Sequence, residues 1–427
     1  MTDRGLVQRA LEQLDRRLAA QIAAPVCIGL SGGGDSVALL LLAADWARAR
    51  GRRLLALTVD HQLQPDSADW TRFAGSVARA VGADWQALAW DGARGGAGVS
   101  GRARQARHRL LAEAARAAGA RVILLAHTAD DVGEGDWMRA RGSTLGQLRD
   151  WSPSPVWPQG RGLVLCRPLL GERRQVLRDF LKDRGQAWID DPANDDDRYG
   201  RSRARTALAG ELPVPSRMPE PGKVSRIMAD EGAWAGVFEV DRQVSARSLA
   251  VALVCAGGGD QLPRGDRLAM LKDRLARGET LTASLAGARI EAEGKRVRLM
   301  REPGEFRRQQ GLCPVLIPGQ AMVWDGRFEI GVDEAGWQVV PAQGRIGRLE
   351  RTARALIAPL PPAARASLPV LENPKRDQVV LAGQRGWMRP LIAERLALAL
   401  GEKTQEGDLF DPVHGETPVS ALFSRKD

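Results

Sequence analysis

A doubly wound parallel α/β sheet, followed by smaller helical and mixed α+β C-terminal domains, is the fold class that this 427-residue sequence predicts. Short apolar runs alternate with helical patterns as far as about residue 126, which implies right-handed βαβ units. The uninterrupted apolar runs among them, Val122–Ala126 above all, suit a sheet buried on both faces. The first runs straight into Ser31-Gly32-Gly33-Gly34-Asp35-Ser36 and then a helix. That order sets backbone N–H groups and a helix N-terminus at the carboxyl end of a strand, an anion site for which phosphate is the obvious guest.

Taken in order, Leu6, Leu11, Leu14 and Leu18 among charges predict an amphipathic entry helix. Strands are predicted at Val26–Leu30, Leu54–Val59, Trp85–Trp90 and Val122–Ala126, with helices at Val37–Arg50, Ser67–Val81 and about Arg102–Ala118 between them. Residues 151–160 hold three prolines and are read as irregular, either a mobile substrate loop or a connector. A helix follows at about Arg173–Arg184, then an acidic loop at 190–199 and the basic cluster Arg201, Arg203 and Arg205. The proline-rich stretch 211–222 reads as a linker. The predicted domains are therefore 1–210, a mainly helical 223–302 and a mixed 303–427. Within the last two, Ser245–Cys255, Asp266–Arg277 and about Arg389–Leu400 read as helices and 280–300 as a hairpin.

Composition narrows the class. Charged residues make up 27% and hydrophobic ones 44% of the chain, values of a soluble globular protein. The formal charge is +10, and of 62 basic residues only seven are lysine. Arginine's planar fork suits phosphate, which favours a nucleotide or nucleic-acid partner, although codon composition produces the same excess. Four cysteines without a C-x-x-C pair argue against structural zinc, an iron–sulfur cluster or a thiol relay, and predict buried thiols. No apolar run is long enough for a bilayer, so no membrane association and a cytoplasmic location are expected.

Four stretches meet the sheet's carboxyl edge: the loop 31–36, Asp60-His61, His127, and Arg104 with Arg107 on the preceding helix. Beyond His127 come Asp130, Asp131 and Glu134, spaced to share one face of a starting helix. Acids suit a first turn in any helix. Three of them beside a phosphate loop can also hold magnesium or an ammonium group.

The loop matches, letter for letter, the pyrophosphate loop of the PP-loop ATP pyrophosphatase superfamily. A longer ordered set resembles the tRNA(Ile)-lysidine synthase family: T-V-D-H at 58–61, A-R-Q-A-R-H at 103–108, A-H-T-A-D-D at 126–131 with Glu134, R-G-S at 141–143, R-P-L-L at 167–170 and D-D-P-A-N-D-D-D-R-Y at 190–199. The resemblance implies an adenine-nucleotide α-hydrolase-like fold for 1–210 and tRNA-binding roles for the later domains. It implies an AMP-forming carbon–nitrogen ligase that adenylates the wobble cytidine of an isoleucine tRNA with a CAU anticodon, then joins L-lysine to it.

By that resemblance Ser31, Gly32, Gly33, Gly34, Asp35 and Ser36 hold the pyrophosphate of ATP, with His127 and Arg104 or Arg107 on the nucleotide. Asp35 and Asp130 face magnesium (Mg2+), Asp131 and Glu134 receive the lysine, and Asp35, Asp131 and Glu134 are the catalytic set. Arg201, Arg203 and Arg205 are candidates for RNA or phosphate. The chain departs from the family at Val132, Gly135, Ala193 and His108, where Gln, Thr, Ser and Tyr are common, and at Asp136 and Trp137, which replace apolar positions. Two other readings use the same loop: an AMP-forming ligase or amidotransferase acting on a small molecule, and an RNA-binding relative without catalysis.

Overall fold

The computed structural model describes residues 2–92, 98–143, 146–190, 200–208, 228–229, 233–308 and 313–411. The 211–222 linker and all but the first residue of the 190–199 loop lie outside them. The chain forms two compact units, Met1–Glu220 with Lys403–Asp411, and Pro221–Glu402 with 412–427.

The first unit runs α1 (Thr2–Arg17), β1 (Val26–Gly29), α2 (Gly34–Arg50), β2 (Leu54–Asp60), α3 (Ser67–Ala80), β3 (Asp84–Ala89), α4 (Val99–Ala117), β4 (Val122–Leu124), α5 (Ala129–Arg139), β5 (Trp151–Pro153), β6 (Val164–Cys166), α6 (Arg174–Asp183) and α7 (Gly200–Ala207). Its sheet has the order β3-β2-β1-β4-β6-β5, parallel except for β5. Strand order reverses between β1 and β4, so a crevice opens beyond their carboxyl ends, where the phosphate loop and His127 stand. Helix α2 is apolar on every side because it is enclosed, packing on α1 and α6, with Val37, Leu39, Leu40 and Leu42 fully buried. Truncating any of these leucines to alanine removes packing of about 2–5 kcal/mol.

Trp151–Pro153, expected to be irregular, is a strand. Pro153 is tolerated because β5 is an edge strand, pairing with β6 alone.

Residues 403–411 also belong to the first unit, rather than to a 303–427 domain. Glu406 is fully buried and accepts both Nη groups of Arg52 at 2.9 Å, and it accepts the N–H of Ala19. Trp151 Nε1 donates to the carbonyl of Lys403 at 2.8 Å. Glu406→Ala leaves the Arg52 guanidinium, 2% exposed, without a counter-charge. The expected loss is about 3–5 kcal/mol in denaturant unfolding of the full chain.

The second unit continues with β7 (Met228–Ala229), β8 (Phe238–Val240), α8 (Ala246–Gly257), α9 (Gly265–Ala276), β9 (Leu281–Leu285), β10 (Ala288–Glu293), β11 (Arg296–Arg301), β12 (Met322–Trp324), β13 (Phe328–Gly331), β14 (Gln338–Pro341), α10 (Arg351–Ile357), α11 (Pro362–Ala366), β15 (Pro369–Asn373), β16 (Gln378–Leu381), β17 (Trp387–Pro390) and α12 (Ile392–Leu400). Residues 223–302, expected to be mainly helical, carry the antiparallel sheet β7-β8-β11-β10-β9 beside α8 and α9. The expected hairpin at 280–300 is its three-stranded meander, and the helix expected from Arg389 is preceded by β17. The expected division at 302/303 does not separate two cores. Ile392, Leu396 and Leu400 of α12 pack with Phe238 and Leu253, while Met300 packs with Trp324 and Trp337.

Of the cysteines, Cys27, Cys166 and Cys255 are buried, and burial pushes the Cys27 thiol up to about 12. Cys313 is exposed, contrary to expectation, in a stretch that also exposes Val315 and Ile317. Among the described residues no helix is long and apolar enough to cross a membrane.

Candidate active site

The loop between β1 and α2 is shaped by its glycines and closed by the hydrogen bonds of its serines. Gly32 has φ +87°, and a Cβ there would stand 2.7 Å from the side chain of Ile189, whose N–H donates to the Gly32 carbonyl at 2.9 Å. Ser36 Oγ donates to the Gly33 carbonyl (2.8 Å) and lies 3.1 Å from Ser31 Oγ. Both hydroxyls therefore gather inside one turn, over the N-terminus of α2, whose first N–H groups have no partner within the helix. Asp35 stands in that first turn. Burial raises its carboxyl above the ordinary value and Asp131 adds to the rise, while Arg174 pulls the other way.

The carboxylates of α5 come to the same place. Thr128 and Asp131 form a capping box, in which Asp131 Oδ2 accepts the N–H of Thr128 at 2.8 Å and its hydroxyl at 3.0 Å. Glu134, one turn on, is 1% exposed. Its Oε1 accepts Arg205 Nε at 2.8 Å and Arg174 Nη1 at 3.2 Å, whereas Oε2 is buried with no hydrogen-bond partner among the described residues. Arg174 Nε also donates to Asp35 Oδ2 at 3.1 Å, and Nη2 lies 3.8 Å from Asp131. Burial opposes the Arg174 charge, but Asp131, Asp35 and Glu134 together raise its pKa further above the ordinary arginine value.

Asp130 behaves differently. Its Oδ2 accepts the backbone N–H of Arg174 at 2.8 Å, capping α6, and lies 3.5 Å from Arg173 Nε. The expectation that Asp130 shares a metal with Asp35 gains nothing from this arrangement. Among the described residues no group of three or more His, Cys, Asp or Glu side chains could hold a metal ion. Magnesium commonly takes one or two carboxylates and completes its shell with substrate phosphates and water, so it does not require such a group.

The opposite wall is basic. His127 Nδ1 accepts Arg167 Nε at 3.2 Å, and Arg167 is anchored further by the Arg149 carbonyl and Ser152 Oγ. Arg104 and Arg107 of α4 are half-buried. His61 packs edge-on against Trp90 with ring centroids 5.8 Å apart. His108 is buried, and burial, with the fields of Arg107, Arg104, Arg167 and His127, lowers its pKa to about 3. Below the unfolded value of about 6.5 the unfolded chain takes up a proton that the folded chain refuses. Stability is therefore expected to fall from pH 6.5 towards 3 by up to roughly 1.4 kcal/mol per pH unit from this residue. Denaturant unfolding of His108→Phe should show a shallower acid slope than the unsubstituted chain.

Two arginines not expected among the site residues, Arg167 and Arg174, enter the site together with Arg205. Arg205, a candidate for RNA or phosphate, pairs with Glu134 because α7 forms and turns it inward, while Arg203 stays exposed. Arg167 was legible only as part of a motif. Arg174 did carry a signal: it opens a helix with no acid in its first turn, at the end where the dipole disfavours a cation, so a carboxylate had to come from elsewhere. Among the departures on α5, Val132 and Gly135 are half-buried beside Asp131 and Glu134 in the sequence. Asp136 is exposed, and Arg141 stacks over Trp137 at 3.7 Å. Ala193 lies outside the described residues.

Residues 6–212 match the family described as a PP-loop domain. The tRNA(Ile)-lysidine synthase of Caulobacter vibrioides is 46% identical over 92% of this chain and 97% of its own. Those of Hyphomonas neptunium (38%, over 66% and 82%) and Mesorhizobium japonicum (32%, over 93% and 87%) are similar as well. With a serine–glycine phosphate loop, a carboxylate pair on the adjoining helix and a likeness that spans both units, the chain belongs to the tRNA(Ile)-lysidine synthase family.

Proposed function

We propose that this chain joins L-lysine to C2 of the wobble cytidine in an isoleucine tRNA with a CAU anticodon, consuming ATP and releasing AMP and pyrophosphate. The observation that carries the reading is Glu134: a carboxylate 1% exposed, with one oxygen lacking a partner among the described residues, within one guanidinium's reach of the phosphate loop. An ammonium group gives up strong hydration on entering a buried site, and only a carboxylate replaces it well.

In the first step the cytosine O2 attacks the α-phosphorus and pyrophosphate leaves. Ser31, Ser36 and the N–H groups of α2 receive the departing charge, with His127 and Arg104 or Arg107 on the nucleotide. Magnesium bound at Asp35 would neutralise charge on the leaving pyrophosphate. In the second step the lysine ε-amine attacks C2, AMP leaves, and Asp131 or Glu134 takes up the proton that the amine loses. Arg201 and Arg203, with the second unit, are assigned to the tRNA, and the cytoplasm is where that substrate is met.

The test is incorporation of labelled amino acids into the CAU-anticodon transcript with ATP and magnesium. Lysine alone should enter. No incorporation, with ATP consumed on a small amine instead, would refute the assignment.

A further inference from the structure

Arg174 belongs to neither of the two sites that it touches. Its Nε donates to Asp35 in the phosphate loop at 3.1 Å, and its Nη groups reach Glu134 at 3.2 Å and Asp131 at 3.8 Å on α5. Its side chain is 16% exposed, against 24% for Asp35, 10% for Asp131 and 2% for Glu134, so these charges interact with little screening. Arg205 also donates to Glu134, so Arg174 is shared among three carboxylates, one of which has a second guanidinium partner.

The geometry points to Arg174 as a positioning residue that couples the two sites, releasing the α5 carboxylates to an ammonium only when phosphate has bound. The inference rests on the reading of Asp131 and Glu134 as the amine pocket. A triphosphate arriving at the N-terminus of α2 competes with Asp35 for the nearest guanidinium, whose fork suits phosphate oxygens as it does a carboxylate. The backbone of Arg174 is pinned through its N–H to Asp130, so the side chain is what swings. As it turns to phosphate, Glu134 loses one of its two arginine partners and Asp131 loses the neighbouring Arg174 charge. The pocket then carries one more negative charge, and its affinity for an ammonium rises. Because coupling is reciprocal, lysine must tighten nucleotide binding by the same factor.

The test is equilibrium dialysis of labelled L-lysine against the full chain, with and without saturating α,β-methylene-ATP and magnesium. The analogue is expected to tighten lysine binding about tenfold, and saturating lysine to tighten analogue binding equally. In Arg174→Met the pocket is already relieved of that cation, so lysine should bind without nucleotide within about threefold of its affinity with nucleotide. Arg174→Lys, which keeps the charge without the fork, should recover part of the coupling. Equal lysine affinity with and without analogue in the unsubstituted chain would overturn the role of Arg174, and that result needs no variant to fold. Undiminished coupling in Arg174→Met would overturn it too. Failure of lysine to bind under any condition would overturn the amine pocket itself, and the inference with it.

Discussion

Asp35→Ala is expected to lower tRNA-dependent pyrophosphate release at least a hundredfold, while tRNA binding stays within about threefold of the unsubstituted chain. Alanine is a better helix former than aspartate, so the first turn of α2 is kept although one member of the charge cluster is removed. What is lost is the carboxylate beside the α2 N-terminus that would neutralise phosphate through magnesium. The substitution also deprives Arg174 Nε of its partner. Neither effect touches a surface assigned to tRNA, so filter retention of the transcript should be nearly unchanged. An equal fall in binding and in turnover would mean that the loop and the tRNA site are not separate.

Glu134→Gln is expected to act on the other substrate. The amide keeps the size and one acceptor oxygen but loses the charge that Arg174, Arg205 and the proposed ammonium share. A hydrogen bond to a charged group contributes about 1.5–3 kcal/mol, so KM for lysine should rise roughly tenfold to a hundredfold. KM for ATP should change much less. Removing one member of a buried charge cluster also destabilises the chain, and thermal unfolding would register this separately. A lysine requirement unchanged within error would remove Glu134 from the amine pocket.

The half of the site that lies on a strand–loop–helix unit was legible because its signals are local. The apolar run of β1, Gly32 at positive φ and the hydroxyls of Ser31 and Ser36 fall within a few residues of one another. His127, Asp131 and Glu134 were legible for the same reason. The other half depends on register and long-range return. Arg205 reads as one of three alternating surface arginines until α7 forms and turns it towards Glu134, 71 residues earlier. Asp130 looks like a third acidic ligand until α6 arrives to be capped by it. The pairing of Glu406 with Arg52 spans 354 residues, and no periodic pattern marks 403–411 as part of the first unit. Pro153 suggested irregularity because whether a strand lies at an edge is a property of the sheet, not of the segment.

The central claim is that adenylation and amine attack are separate steps served by adjacent sites, the phosphate loop and the α5 carboxylates. It is tested most directly by following pyrophosphate and AMP in one reaction, with the CAU-anticodon tRNA and ATP but no lysine, and then adding lysine. The account predicts pyrophosphate release that requires the tRNA and precedes lysine, followed by AMP release only after lysine is added. Pyrophosphate release without RNA, or AMP and pyrophosphate appearing together only when lysine is present from the start, would contradict it.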